Sequence, residues 1–217
     1  MNLFLEIFLF YLPLIFATVI LGFLNKKIKW YFFLVAILAG MIAIIPSTLI
    51  QYFVPNFLGF HICAEESVSL TLLAILANCF IINGLIEECM KSACLTFCMP
   101  KNFSIKEFFI LSIIAGISFA TFENVIYIIC GMENPQLRMI TSSLAHIICT
   151  SIDGLFIWLC FQKKCKISLI ITSILVHTFY NFFAQLPSWF WVFSIVVLFF
   201  GLFKIIIFYQ SFMKETN

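Results

Sequence analysis

The sequence predicts an all-α, polytopic transmembrane helix bundle of about seven spans, and three observations carry that prediction. Hydrophobic residues make up 64% of the 217 and charged residues 10%, with a mean hydropathy of +1.15, outside the range of soluble domains. Apolar runs recur at roughly 20 residues, the length a helix needs to cross hydrocarbon. The lysines gather almost wholly in alternate connections. No polar stretch is long enough to make a second domain, so residues 1–217 read as one integral membrane domain.

The first span lies near 3–24. Its start, MNLFLEIFLF, lacks a basic region and a small-residue cleavage site, so it reads as a retained span rather than a signal peptide. The second runs near 30–52. The third, 70–99, is long enough to bend or to begin as an interfacial segment. The remaining four lie near 107–130, 139–161, 167–185 and 189–210. Pro55, Pro100, Pro135 and Pro187 fall in the connections, where a missing N–H does no harm.

Lys26, Lys27 and Lys29, then Lys101 and Lys106, then Lys163, Lys164 and Lys166, and finally Lys214 occupy one side. The opposite connections hold only Arg138. By the positive-inside rule the N-terminus is outside and the C-terminus cytoplasmic. Trp30 and Trp158 then belong to the inner aromatic belt, and Trp189 and Trp191 to the outer one. Cys79, Cys89, Cys94, Cys98, Cys149 and Cys160 lie in spans and read as small apolar groups. Cys63 and Cys130 lie near the outer side, where they can pair. The absence of CxxC or CxxH spacing argues against a thiolate zinc site.

Glu87, Glu88 and Lys91 sit inside the third apolar run, LTLLAILANCFIINGLIEECMKSACLTFCM. Each charge at the centre of a spanning helix costs about 2.5–3.5 kcal/mol, so such residues mark a site facing protein or a wet cavity. Either glutamate can reach the lysine, at i,i+4 or i,i+3. The fourth span carries Phe119, Glu123, Asn124 and Tyr127, the fifth His146 and Asp153 on one face, and the sixth His177 and Asn181 a turn apart.

Depth ties these groups together. At a rise of ~1.5 Å per residue, Glu87 lies about 20 Å above the inner boundary, Glu123 and His146 about 22 Å, His177 about 15 Å and Asn181 about 21 Å. Four helices of alternating direction therefore bring their polar groups to one mid-membrane layer. A second doublet, Glu65-Glu66, with His61 before it and Ser69 after, falls in an outer connection, where solvation explains it.

That layer suits hydrolysis. Two adjacent glutamates can divide the labour, one tied to lysine and one acting as base. A glutamate base with histidine and asparagine donors can activate water and stabilise an oxyanion. Alternatively, histidines and carboxylates can hold a divalent metal such as zinc that activates the water. The candidate ligands are Glu88, Glu123, His146 and His177. HExxH is absent, which excludes a zincin-type helix.

Glu87-Glu88-x-x-Lys91, Phe119-x-x-x-Glu123-Asn124-x-x-Tyr127, His146 and His177-x-x-x-Asn181 together resemble the PrsW intramembrane proteases in order and spacing. That family is similar to the CAAX endopeptidases and bacteriocin-processing membrane proteases. Where the CAAX relatives carry arginine after the paired glutamates and histidine in the second motif, this chain has Lys91 and Glu123. The resemblance implies a catalytic core at about 70–185. It also implies site-1 cleavage of a single-pass membrane anti-sigma factor in a bacterial plasma membrane, releasing a sigma factor for a stress response. On it, Glu87 or Glu88 activates water, and His177 and Asn181 position it or stabilise the oxyanion. Glu123 and His146 complete the site, while Lys91, Asn124, Tyr127 and Asp153 support it electrostatically or by packing. No nucleic-acid partner is expected.

The alternative class is a proton- or ion-coupled transporter, which also places carboxylates and histidines at the midplane. No inverted repeat or pair of broken helices supports it. A non-catalytic immunity protein and a lipid-modifying enzyme are further alternatives. Small residues at Gly84, Gly116 and Ala120 point to close helix approach beside the polar layer.

Overall fold

Helix after helix follows the apolar runs in the computed structural model, which describes residues 3–58, 72–131, 135–186 and 188–216. The order is α1 (Leu3–Leu24), α2 (Trp30–Leu58), α3 (Leu72–Asn78), a π-helical segment (Cys79–Ile86), α4 (Glu87–Cys98), α5 (Ile105–Ile129), α6 (Pro135–Phe161), α7 (Ile167–Gln185), a 3-10 turn (Ser188–Trp191) and α8 (Val192–Thr216). Seven helical runs are long and apolar enough to cross a membrane. The chain is a multi-pass membrane protein. The long third run is one continuous span, Leu72–Cys98, built from α3, the π segment and α4. The Glu65-Glu66 doublet, His61 and Cys63 lie outside the described residues.

Local chemistry sets the helix ends. Before α5 the Ser104 hydroxyl accepts from the Glu107 N–H at 3.3 Å, while Glu107 Oε2 accepts from the Ser104 N–H at 2.9 Å. This reciprocal capping box fixes where the fourth span starts. At the end of α6, Lys163 takes a left-handed conformation (φ 59°), its N–H bonds to Cys160 O, and the Lys164 N–H bonds to Leu159 O. That Schellman closure turns the chain back toward α7.

α5 and α6 form the middle of the bundle. Phe108, Leu111 and Ile114 of α5 and Ile148, Ile152 and Leu155 of α6 are fully or almost fully buried. Gly116 allows this contact: a Cβ there would stand 2.8 Å from the His146 carbonyl oxygen and 3.1 Å from Ile147 Cα. α1, α2 and α8 turn large apolar side chains outward, among them Phe16, Phe23, Leu34, Phe199 and Phe203. In a spanning bundle that is the face lipid covers.

Three expectations change. Pro55 lies inside α2, which runs on to Leu58, rather than in a connection, while the apolar span itself ends at Phe53 as the sequence predicts. Trp158 is buried and its indole N–H donates to the Phe103 carbonyl at 2.9 Å, so it anchors the α4–α5 connection rather than facing an interface. Cys160 is disulfide-bonded to Cys165 rather than packed as a free thiol. Lys204 lies within the last span, away from the lysine clusters, with its ammonium 5.3 Å from the centre of the Phe200 ring and 6.0 Å from that of Phe208. Flanking aromatic faces offset part of its desolvation.

Candidate active site

The π segment delivers the paired glutamates to α7. A Cβ on Gly84 would run into the Thr178 hydroxyl and stand 2.9 Å from the Ile174 carbonyl oxygen. Only glycine lets the segment lie this close, and the approach sets Glu87 and Glu88 at the start of α4 against His177. π-helical turns inside α-helices occur frequently at functional sites.

Glu88 is fully buried and closely bound. Its Oε1 receives the Lys91 ammonium at 2.6 Å and also meets His177 Nδ1, while the Ser173 hydroxyl lies 3.4 Å from Oε2. Lys91 makes a second polar contact, 3.3 Å from His146 Nδ1, and stands 4.7 Å from the centre of the Phe119 ring. An ammonium has donors only, so His146 Nδ1 accepts and its Nε2 carries the hydrogen. Nε2–H accordingly donates to Glu123 Oε2 at 2.9 Å. On His177, Nδ1 donates to the Glu88 carboxylate, and in the neutral ring Nε2 is then the lone pair.

Glu87 stands apart from this chain of bonds. Its Oε1 receives the Gln51 side-chain amide at 2.9 Å. Its Oε2 is buried with no hydrogen-bond partner, 3.8 Å from His177 Nε2. The two imidazoles meet edge to face, ring centres 5.0 Å apart. Glu87 is 3% exposed, Glu88 0%, His146 2% and His177 1%, which makes this a site sealed inside the bundle.

Glu87, Glu88, Lys91, Glu123, His146 and His177 thus meet at one place on four spans. The other expected residues lie around it. Asn181 is mostly buried a turn beyond His177, its amide donating to the His177 carbonyl at 3.4 Å, with no bond to the acidic groups. Asn124 donates to Ser143 Oγ at 3.5 Å and ties α5 to α6. Tyr127 is half-buried. Asp153 is fully buried in the electrostatic field of Glu88 and Lys91.

Two contributors were not among the expected residues. Ser173 sits one turn before His177, so Ser173, His177 and Asn181 form an i,i+4,i+8 stripe legible in hindsight. Gln51 offered no such signal. Counted from Trp30 at ~1.5 Å per residue it lies about 31 Å along α2, well past the depth of Glu87.

Among the described residues, Glu87, His146 and His177 each offer a ligand atom within 4.8 Å of one another. Two histidines and a glutamate are a known catalytic zinc set, and tetrahedral bonds of about 2.0–2.1 Å put ligand atoms about 3.4 Å apart. The unpartnered Glu87 Oε2 and the open Nε2 of His177, 3.8 Å apart, fit a cation with little movement. His146 fits through Nδ1 once the Lys91 ammonium moves off it. Glu88 and Glu123 would then back the two imidazoles from their other nitrogens, the carboxylate–histidine arrangement typical of metal sites.

Bundle and site together define a multi-pass membrane protein built around a buried glutamate–histidine cluster. The family model for PrsW family intramembrane metalloprotease matches residues 28–207, a stretch holding every residue of that cluster, and the chain belongs to this family. No curated protein and no solved structure matches the chain. Membership makes the protein a peptidase acting on membrane proteins within the bilayer, in place of the alternative transport reading.

Proposed function

We propose that the protein carries out site-1 cleavage of a single-pass membrane anti-sigma factor in a bacterial plasma membrane, with Glu87 as the working carboxylate. The observation that carries the assignment is the contrast between the two glutamates. Glu88 is committed to Lys91, His177 and Ser173, whereas Glu87 keeps one buried oxygen unpartnered beside an open imidazole nitrogen.

The residues act as follows. Glu88 accepts from His177 Nδ1–H and so points Nε2 toward Glu87. Glu123 does the same for His146 from the other side. Glu87, His146 and His177 are the groups that would hold a divalent cation, which supplies Lewis-acid polarisation of a carbonyl and a more acidic bound water. Without a cation, Glu87 Oε2 is instead free to meet the attacking water, take its proton and return it to the leaving amine nitrogen. Asn181, whose bond to the His177 carbonyl is long at 3.4 Å, turns its amide to the developing oxyanion. Lys91 holds the Glu88 carboxylate in place through their ion pair.

The test is cleavage of co-expressed, tagged single-pass anti-sigma factors from the same organism by wild type, Glu87→Gln and Glu88→Gln at equal membrane abundance. Cleavage by wild type that is lost in Glu87→Gln supports the reading. Cleavage that persists in both variants removes the glutamates from the mechanism, and a substrate of another class cut in their place overturns the anti-sigma assignment.

A further inference from the structure

Gln51 reaches the site from a helix that carries none of the motif residues. Its Nε2 lies 2.9 Å from Glu87 Oε1 and 2.9 Å from the carbonyl oxygen of Ile82. Both partners are acceptors, so both hydrogens of one amide nitrogen are used and the orientation of the amide is fixed. The Ile82 carbonyl belongs to the π segment, so one amide nitrogen of Gln51 bonds the backbone of that segment and, with its other hydrogen, holds the carboxylate just past the segment's end.

We propose that Gln51 is a positioning residue. By clamping Glu87 Oε1 to the π segment, it leaves Oε2 as the one oxygen free to face His177 Nε2 and a divalent cation. The inference rests on the active-site reading above and adds to it the device that selects which oxygen works. A carboxylate anchored on one oxygen cannot rotate to bind a cation through both. With the anchor gone, Oε1 becomes a second buried acceptor without a donor, and the aim of Oε2 is lost. Outer-sphere partners of this kind typically change metal affinity about 10- to 100-fold.

The experiment compares full-length wild type, Gln51→Met, Glu87→Gln and Ser47→Ala in lipid nanodiscs. Methionine keeps the length of glutamine and removes the amide. Ser47 lies one turn earlier on α2 and, among the described residues, bonds within that helix to Ala43 O at 2.7 Å, so its variant controls for general effects on α2. Two readouts are taken: the infrared carboxyl band of Glu87 in metal-free protein, assigned by its loss in Glu87→Gln, and the dissociation constant for Zn2+. The expected result is a shifted Glu87 band and a Zn2+ dissociation constant raised about 10- to 100-fold in Gln51→Met, with neither change in Ser47→Ala. An unchanged band shows that the bond is not made and overturns the proposal. A shifted band with wild-type Zn2+ affinity overturns the positioning role alone and leaves the active-site reading standing. Failure of wild type itself to bind Zn2+ overturns the metal reading and, with it, a role defined toward the metal.

Discussion

Glu88 Oε1 and Lys91 Nζ lie 2.6 Å apart with side chains 0% and 1% exposed, the most deeply buried charge pair described in the bundle. Removing one member of such a pair strands the other without solvent, which costs about 3–5 kcal/mol. Lys91→Met is therefore expected to lower the unfolding free energy by about that amount. Lys91→Met combined with Glu88→Gln should recover part of the loss, because neither charge is then left alone. Unfolding curves in mixed detergent micelles for the two single variants and the double variant measure the coupling. A double variant no better than the sum of the singles contradicts the pairing.

The two glutamates should fail differently. Glu87→Gln keeps the shape of the side chain, and the Gln51 amide can still donate to its carbonyl oxygen. Stability should stay within about 1 kcal/mol of wild type, while cleavage falls about 10²- to 10⁴-fold with loss of the proton acceptor. Glu88→Gln should lose activity and stability together, since Lys91 and His177 both depend on it. Measuring substrate cleavage and unfolding on the same preparations separates the two patterns. Equal destabilisation by both variants contradicts the division of roles.

How much of this was legible in the sequence depends on the kind of information. The seven spans follow from apolar length, a property of each segment alone, and the mid-membrane layer from counting residues at a fixed rise. That count brought Glu87, Glu123, His146 and His177 to one depth, and all four meet in the fold. It gave no sign of Gln51, whose count of about 31 Å along α2 runs past the depth of Glu87. It also left open which glutamate Lys91 holds: i,i+3 and i,i+4 are both within reach on a regular helix, and here Glu88 is the bonded partner. The π segment was hidden as well, since its register depends on Gly84 meeting α7, a contact between residues nearly a hundred positions apart. Trp158 read as a belt residue by composition, yet bonds to Phe103 O because the fold places a carbonyl there.

Gly116 offers a test of how the helix contact behind the site supports it. A Cβ there would press on the His146 carbonyl oxygen at 2.8 Å and Ile147 Cα at 3.1 Å, both backbone atoms that cannot step aside singly. Gly116→Ala is expected to push α6 away from α5, destabilise by about 1–3 kcal/mol, and displace His146 from Lys91 and Glu123. Activity should fall further than the loss of folded protein accounts for. The check is cleavage normalised to folded protein, and a normalised activity equal to wild type shows that His146 tolerates the shift.

Metal removal separates the two chemistries the site can support. Glu87 Oε2 and His177 Nε2 are open to a cation, and the third ligand, His146, shares its Nδ1 with the Lys91 ammonium in the metal-free arrangement. A bound cation therefore competes with a resident charge, and Lys91 must withdraw toward Glu88 as it enters. Treatment with 1,10-phenanthroline is expected to abolish cleavage, and added Zn2+ to restore it. His177→Ala and Glu87→Ala should each bind well under one equivalent of Zn2+ by elemental analysis. Lys91→Met should bind Zn2+ at least as tightly as wild type, whatever it does to folding, because His146 then keeps its lone pair free. Full cleavage by chelator-treated protein carrying no metal would instead assign the whole reaction to Glu87 and its neighbours.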